Sequence, residues 1–159
     1  MNMEEFKKEI MEDEGVKHEV YLDHLGLPTM GVGHLITEWD EEYEKPVGTP
    51  VSEERVENCL KQDIHVTIDE CKKLYEDFDV LPVEVQHIIA NMMFNMGRPR
   101  LSQFKNMKKA VDQRDWFEAA YEMTNSRWYK QVPNRAGRLV VRMQNVRTCL
   151  LYTSDAADE

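Results

Sequence analysis

The chain has 159 residues, 42% hydrophobic and 31% charged, and its 30 acids outnumber its 20 bases to leave a net charge of −10. That length suits one globular domain. The acidity argues against a nucleic-acid partner, which requires a basic footprint. No apolar run approaches the roughly 20 residues of a membrane helix, so no membrane insertion is expected. The opening MNMEEFKKEIMEDEG lacks the apolar stretch of a signal peptide, which predicts synthesis and folding in a cytoplasm. Cys59, Cys71 and Cys149 are odd in number and contain no CxxC, so free thiols are expected. Cys59 and Cys71 fall on a helical pattern, where core packing is the default.

Residues Asn2 to Glu14 read as an amphipathic helix. Asn2 supplies the N-cap, Met3, Phe6, Ile10 and Met11 the apolar stripe, and Gly15 the stop. Glu14 thus falls at a helix end, where a side chain can lean into a cleft. From His18 to Leu35 the apolar residues alternate and glycines punctuate, which predicts short twisted strands. Asp23 and Thr29 lie symmetrically about Gly26, so a hairpin centred there would bring them together. Residues Thr37 to Pro50 are acidic and contain two prolines, which reads as a surface loop. Ser52 then caps a long helix with Val56, Leu60, Thr67, Cys71, Leu74 and Phe78 at helical spacing. Asp63 falls on that face, where a carboxylate is costly unless paired. A small sheet-bearing lobe before a long helix predicts a spine between two lobes.

The remainder reads as helices. Val85, Ile88, Ile89, Met92, Met93 and Met96 form a broad stripe closed by Gly97. Asp115 with Glu118 is a capping-box pattern, Ser126 precedes RWYKQ, and Pro133 opens the last helix. The six methionines from Met92 to Met143 read as core.

Glu14, Asp23 and Thr29 are the candidate chemistry. Glycoside hydrolysis needs one carboxyl that donates a proton to the leaving oxygen and another that stays ionised. A hydroxyl near the second can hold water. Spacing alone is weak evidence in a chain of 30 acids, where solvated loop acids are the plain alternative. No GxSxG, HExxH or phosphate-binding glycine loop competes. His24, His34, Asp23 and Asp63 match no standard ligand spacing, so no metal or other cofactor is expected.

DEGVKHEVYLDHLGLPTMGVGHLIT resembles the active-site segment of the T-even phage lysozymes, the endolysin muramidases of glycoside hydrolase family 24. NMMFNMG (91–97), RDWFEAA (114–120) and SRWYKQVPNRAGR (126–138) follow in the family's order, and the likeness covers about Met3 to Arg147. The resemblance implies a mostly helical α+β fold. Its small sheet lobe would span about 15–51 and its connecting helix 52–78. A larger helical lobe would combine 79–147 with 1–14, all within one domain of residues 1–147. It implies hydrolysis of the β-1,4 bond between N-acetylmuramic acid and N-acetylglucosamine in peptidoglycan.

Carried over by position, Glu14 resembles the general acid, Asp23 the second carboxylate and Thr29 the residue that orients water with it. A gap of about 6.5–9.5 Å between the two carboxyls would support inversion; about 5–5.5 Å would support retention. Leu35 and Phe94 match substrate contacts. Met107 and Glu122 stand where the family has Ser and Asn contacts, and Asn95 replaces a longer Gln. Arg135 matches an arginine that pairs with the catalytic glutamate; a cation there favours the ionised form, so substrate binding is expected to desolvate Glu14 and keep its proton in place. A helix-surface charge is the plainer reading of Arg135. His34 and Asp63 match a structural ion pair, and Asp13 with Arg138 a similar bridge.

The resemblance further implies a monomer released through a holin-type membrane lesion to act on the periplasmic wall. A lytic transglycosylase, or a silent peptidoglycan-binding module, are the competing readings; the Asp23–Thr29 pair favours a hydrolase over the first. Two features fit poorly. The negative charge opposes approach to an anionic envelope. The tail from about Thr148 does not resemble the family's end and carries three acids, without which the net charge is −7 rather than −10. It is expected to be foreign to the fold.

Overall fold

A computed structural model describes residues 1–147, so the expectation for the tail, Cys149 included, lies outside the described residues. The described chain divides into two compact units inside one helix, at Asp69 and Glu70.

In the first unit, the Asn2 side chain accepts the Glu5 amide at 3.0 Å and starts helix α1, Met3–Glu14. Phe6 and Ile10 are fully buried, each contributing about 1.5–3 kcal/mol on removal from water. Gly15 ends α1, its N–H bonding back to Met11. The chain then forms an antiparallel sheet in the order β1 (Lys17–Leu22), β2 (Pro28–Gly31), β3 (His34–Leu35).

The β1–β2 hairpin is present, but its centre differs from the expected one. Leu22 pairs with Pro28 and Tyr21 with Thr29, so the axis passes through Leu25 and not Gly26. Thr29 therefore stands across from Tyr21. Asp23 stands across from Leu27, its N–H bonding the Leu27 carbonyl at 3.0 Å. The turn selects this register because Gly26 adopts φ +80°, a left-handed conformation that suits glycine. Farther along, β1 takes four steps from Lys17 to Tyr21 while β2 takes two from Thr29 to Gly31. The bulged residues pair instead with the segment before α2: Val20 N–H bonds Thr49 O at 2.9 Å and Val51 N–H bonds His18 O at 2.9 Å.

Ser52 starts α2, Glu53–Leu74, by accepting the Arg55 amide at 3.0 Å. Lys7 of α1 and Glu57 of α2 form an ion pair. The long helix stops four residues short of the expected end at 78; a turn and a short 3-10 segment, Phe78–Val80, follow. Phe78 is nonetheless buried.

Among the described residues the second unit carries the rest of α2 and six further α-helices: α3 (Val83–Met96), α4 (Arg98–Leu101), α5 (Lys105–Asp112), α6 (Trp116–Thr124), α7 (Arg127–Gln131) and α8 (Pro133–Gln144). Its starts follow the capping residues. Asp115 accepts the Glu118 amide at 3.0 Å, Ser126 accepts the Tyr129 amide at 3.1 Å, and Pro133 opens α8. All six methionines from Met92 to Met143 are buried, so they fill core space. Among the described residues no helix is long and apolar enough to cross a membrane.

Candidate active site

The first unit gathers Glu14, Asp23, Thr29, His34 and Leu35, the second Phe94 and Arg135. Glu14 is the last residue of α1. Its carboxylate lies against Gly33, where an added Cβ would stand 2.6 Å from Glu14 Oε1. Gly33 also has φ +63°, so two constraints select glycine at this position: backbone conformation and room for the acid.

Asp23 folds its carboxylate back over the turn. Oδ1 accepts the Leu25 amide at 2.8 Å and the Leu27 amide at 2.9 Å. Those amides, Leu27 foremost, hold the Asp23 carboxyl below its ordinary range, against a smaller opposing effect of burial. Asp23 is thus held toward its carboxylate form, with Oδ1 occupied by two amides. Thr29 is buried, and its hydroxyl donates to the Leu27 carbonyl at 2.8 Å. With that proton committed, the Thr29 oxygen offers lone pairs. The Leu27 peptide thus braces both side chains: its N–H holds Asp23, its C=O holds Thr29.

Tyr21 belongs to this group, although its sequence position signalled only strand alternation. Burial raises its phenol, the Glu14 charge adds to that rise, the Gly33 amide opposes it, and the Asp23 charge raises it further. A side chain that senses both acids sits among them. Lys17 Nζ lies 4.5 Å from the centre of its ring. The pairing of Tyr21 with Thr29 was the available signal, once the hairpin axis is set at Leu25.

His34 and Asp63, distant in sequence, are joined Nδ1 to Oδ2 at 2.7 Å. Sequence reasoning missed the second partner: His34 Nε2 meets Asp40 Oδ2 at 2.9 Å. Asp40 is placed by the Thr37 amide at 2.8 Å. Its other oxygen accepts from Arg55 at 3.2 Å, and Arg55 holds Glu42 through two bonds of 2.9 Å. Acid and base alternate from Asp63 through His34, Asp40 and Arg55 to Glu42. The 37–50 segment is therefore less of a plain surface loop than its composition suggests, because Glu42 is 6% exposed. Burial opposes the charge on His34, but the bonds to Asp63, Cys59 and Asp40 outweigh it and raise the imidazole to about 11.

In the second unit Arg135 is 8% exposed, which removes the alternative of a helix-surface charge. Its Nε donates to Asn91 Oδ1 at 2.8 Å. Phe94 is half-buried on α3, and Leu35 is exposed. Met107 is fully buried in the core, so the residue at that position is withdrawn from any surface contact. Asn95 accepts the Trp128 indole N–H at 2.7 Å; the shorter amide keeps a structural bond. The neighbouring Glu122 side chain raises the Glu118 carboxyl above its ordinary range.

Residues 11–146 match the phage lysozyme family. Two Dictyostelium discoideum proteins, described as probable T4-type lysozymes 2 and 1, are 32% and 33% identical over 147 and 150 residues; each comparison spans 80% of this chain and 86% of that protein. Peptidoglycan hydrolase gp36 of Pseudomonas phage phiKMV is 30% identical over 140 residues, 87% of this chain and 15% of that protein. The family match spans both units and includes Glu14, Asp23 and Thr29. The chain belongs to the phage lysozyme family.

Proposed function

We propose that this glycoside hydrolase cleaves peptidoglycan as a muramidase, at the β-1,4 bond from N-acetylmuramic acid to N-acetylglucosamine. The observation that carries this reading is the contrast between two acids of one unit. Asp23 is pinned in its ionised form by backbone amides, while Glu14 lies at a helix end against a glycine that leaves it room. In this mechanism Glu14 protonates the leaving glycosidic oxygen as the C1–O bond breaks. Water held between Asp23 Oδ2 and the Thr29 oxygen adds to C1 from the opposite face, and Asp23 takes its proton. Leu35 of β3 contributes a contact to substrate in the same proposal. The bound sugar desolvates Glu14 and keeps its proton until transfer. Release to the wall by a holin-type partner, and action as a monomer, belong to the same proposal.

Proton NMR of the first products from purified Gram-negative peptidoglycan tests this. An initial α-anomer at the new reducing muramic-acid end supports water attack with inversion. An initial β-anomer supports a retaining route, and no reducing end at all rules out hydrolysis.

Two smaller predictions arise here. Gly33→Ala puts a methyl group where Glu14 Oε1 lies, so the acid moves. Turnover should fall about 10–100-fold, the scale of a misplaced reacting group. The left-handed backbone should cost about 1–3 kcal/mol in a denaturant melt. Unchanged turnover would dissociate Gly33 from the acid. Second, the net charge of −10 repels an anionic wall. Activity on whole wall should rise as salt is added from low ionic strength, because screening shortens the repulsion to about 10 Å near 0.1 M. A steady fall from the lowest salt would contradict this.

A further inference from the structure

The ion-pair network carries one group that the hydrolysis does not use. Cys59 lies one helical turn before Asp63 on α2, so both side chains project from one face. Cys59 Sγ stands 3.9 Å from Asp63 Oδ2, and His34 Nδ1 stands 2.7 Å from the same oxygen. One ligand atom from each of His34, Cys59 and Asp63 lies within 4.8 Å of the others. Sequence spacing gave no ligand pattern because His34 comes from β3, on the far side of the hairpin and loop.

We propose that His34, Cys59 and Asp63 form a site for a zinc-class divalent cation, separate from the hydrolytic carboxylates. The donor set is imidazole, thiol and carboxylate, which selects a borderline-soft ion such as Zn²⁺ or Co²⁺ over Mg²⁺ or Ca²⁺. Tetrahedral Zn²⁺ with bonds of about 2.0–2.3 Å separates its ligand atoms by about 3.4–3.6 Å. The Cys59–Asp63 distance of 3.9 Å is already near that value. The His34–Asp63 distance of 2.7 Å must open by several tenths of an ångström, which a rotation of the Asp63 carboxylate supplies.

The outer support is also in place. A metal-bound histidine ordinarily gives its other ring N–H to a carboxylate, and His34 Nε2 meets Asp40 at 2.9 Å. Asp40 is itself held by the Thr37 amide and by Arg55. His34 and Asp63 are part-exposed and Cys59 is buried, so the fourth position faces solvent and takes water. Binding forms bonds from the metal to N, S and O. It releases two protons to solvent: the one on His34 Nδ1, now shared with Asp63, and the Cys59 thiol proton. The cation then replaces that proton as the clasp between β3 and α2.

Cobalt titration of the full chain carrying Cys149→Ser tests the site, with Cys71 fully buried and out of competition. The expected result is one Co²⁺ per chain, a thiolate-to-cobalt charge-transfer band, and loss of that band on adding one equivalent of Zn²⁺. Cys59→Ala should abolish the band and weaken Zn²⁺ binding at least about a hundredfold, since removal of an outer support alone costs about 10–100-fold. Cys59→Ser, nearly the same size, should fold as the parent does and also lose the band. Zn²⁺ should raise Tm in the parent and not in either variant. No thiolate band, or equal binding with and without Cys59, would overturn the proposal.

Discussion

Glu14→Gln is expected to lower peptidoglycan hydrolysis by about 10²–10⁴-fold, the range supplied by a positioned general acid. Glutamine has the same shape, so it fits against Gly33 as glutamate does. It cannot deliver a proton to a leaving oxygen. Tm should change little, because glutamine preserves the shape and packing of the side chain. The pairing of lost rate with preserved Tm separates a functional acid from a structural one. If Glu14→Gln keeps more than about a tenth of the rate, proton donation comes from elsewhere.

The largest stability effect should come from His34→Asn. The histidine stands between Asp63 and Asp40, with 18% of its side chain exposed. Its removal leaves two part-buried carboxylates without their shared cation, and the expected loss is about 3 kcal/mol near neutral pH. The loss has a defined pH dependence. Below about 6.5, the ordinary imidazole value, folded and unfolded chains both carry the proton and the full stabilisation is present. Between there and about 11 the folded chain keeps a proton that the unfolded chain has released, so stabilisation drains away as pH rises. On the acid side, hydrogen bonds from Thr37 and His34 hold Asp40 below its ordinary range despite an opposing burial effect. That contribution disappears as pH falls through the folded Asp40 value. The gap between parent and variant should therefore peak at mildly acidic pH and shrink toward alkaline pH. Denaturant melts across pH measure it. A gap independent of pH would remove the ion pair as its cause. A well-folded variant with no activity would place His34 in the chemistry.

Much of this was legible because local signals and tertiary outcome agree. Asn2, Ser52, Asp115 and Ser126 each accept the amide three residues on, and most of the apolar positions they introduce are buried, although Met3 of the first stripe is 44% exposed. Asp63 on an apolar face demanded a partner, and His34 provides it. The hairpin was legible in kind but misplaced by one residue, because symmetry about a glycine is a weaker guide than the strand pairing that positions it. Asp40 and Tyr21 were not legible. Asp40 reaches His34 only because a bulged β1 draws the 48–51 segment alongside and Arg55 anchors the loop at Glu42. Such placements depend on where a loop closes, which no local pattern encodes. Met107 was legible as core among the methionines, and its full burial agrees, although its position also matched a departed contact.

The most direct test of the central claim is mass spectrometry of soluble fragments released by the parent chain from purified Gram-negative peptidoglycan. Fragments ending in reducing N-acetylmuramic acid, each heavier by one water than the cleaved linkage, are the predicted result. Fragments ending in anhydro-muramic acid, or none from a well-folded protein over a range of salt, would contradict it.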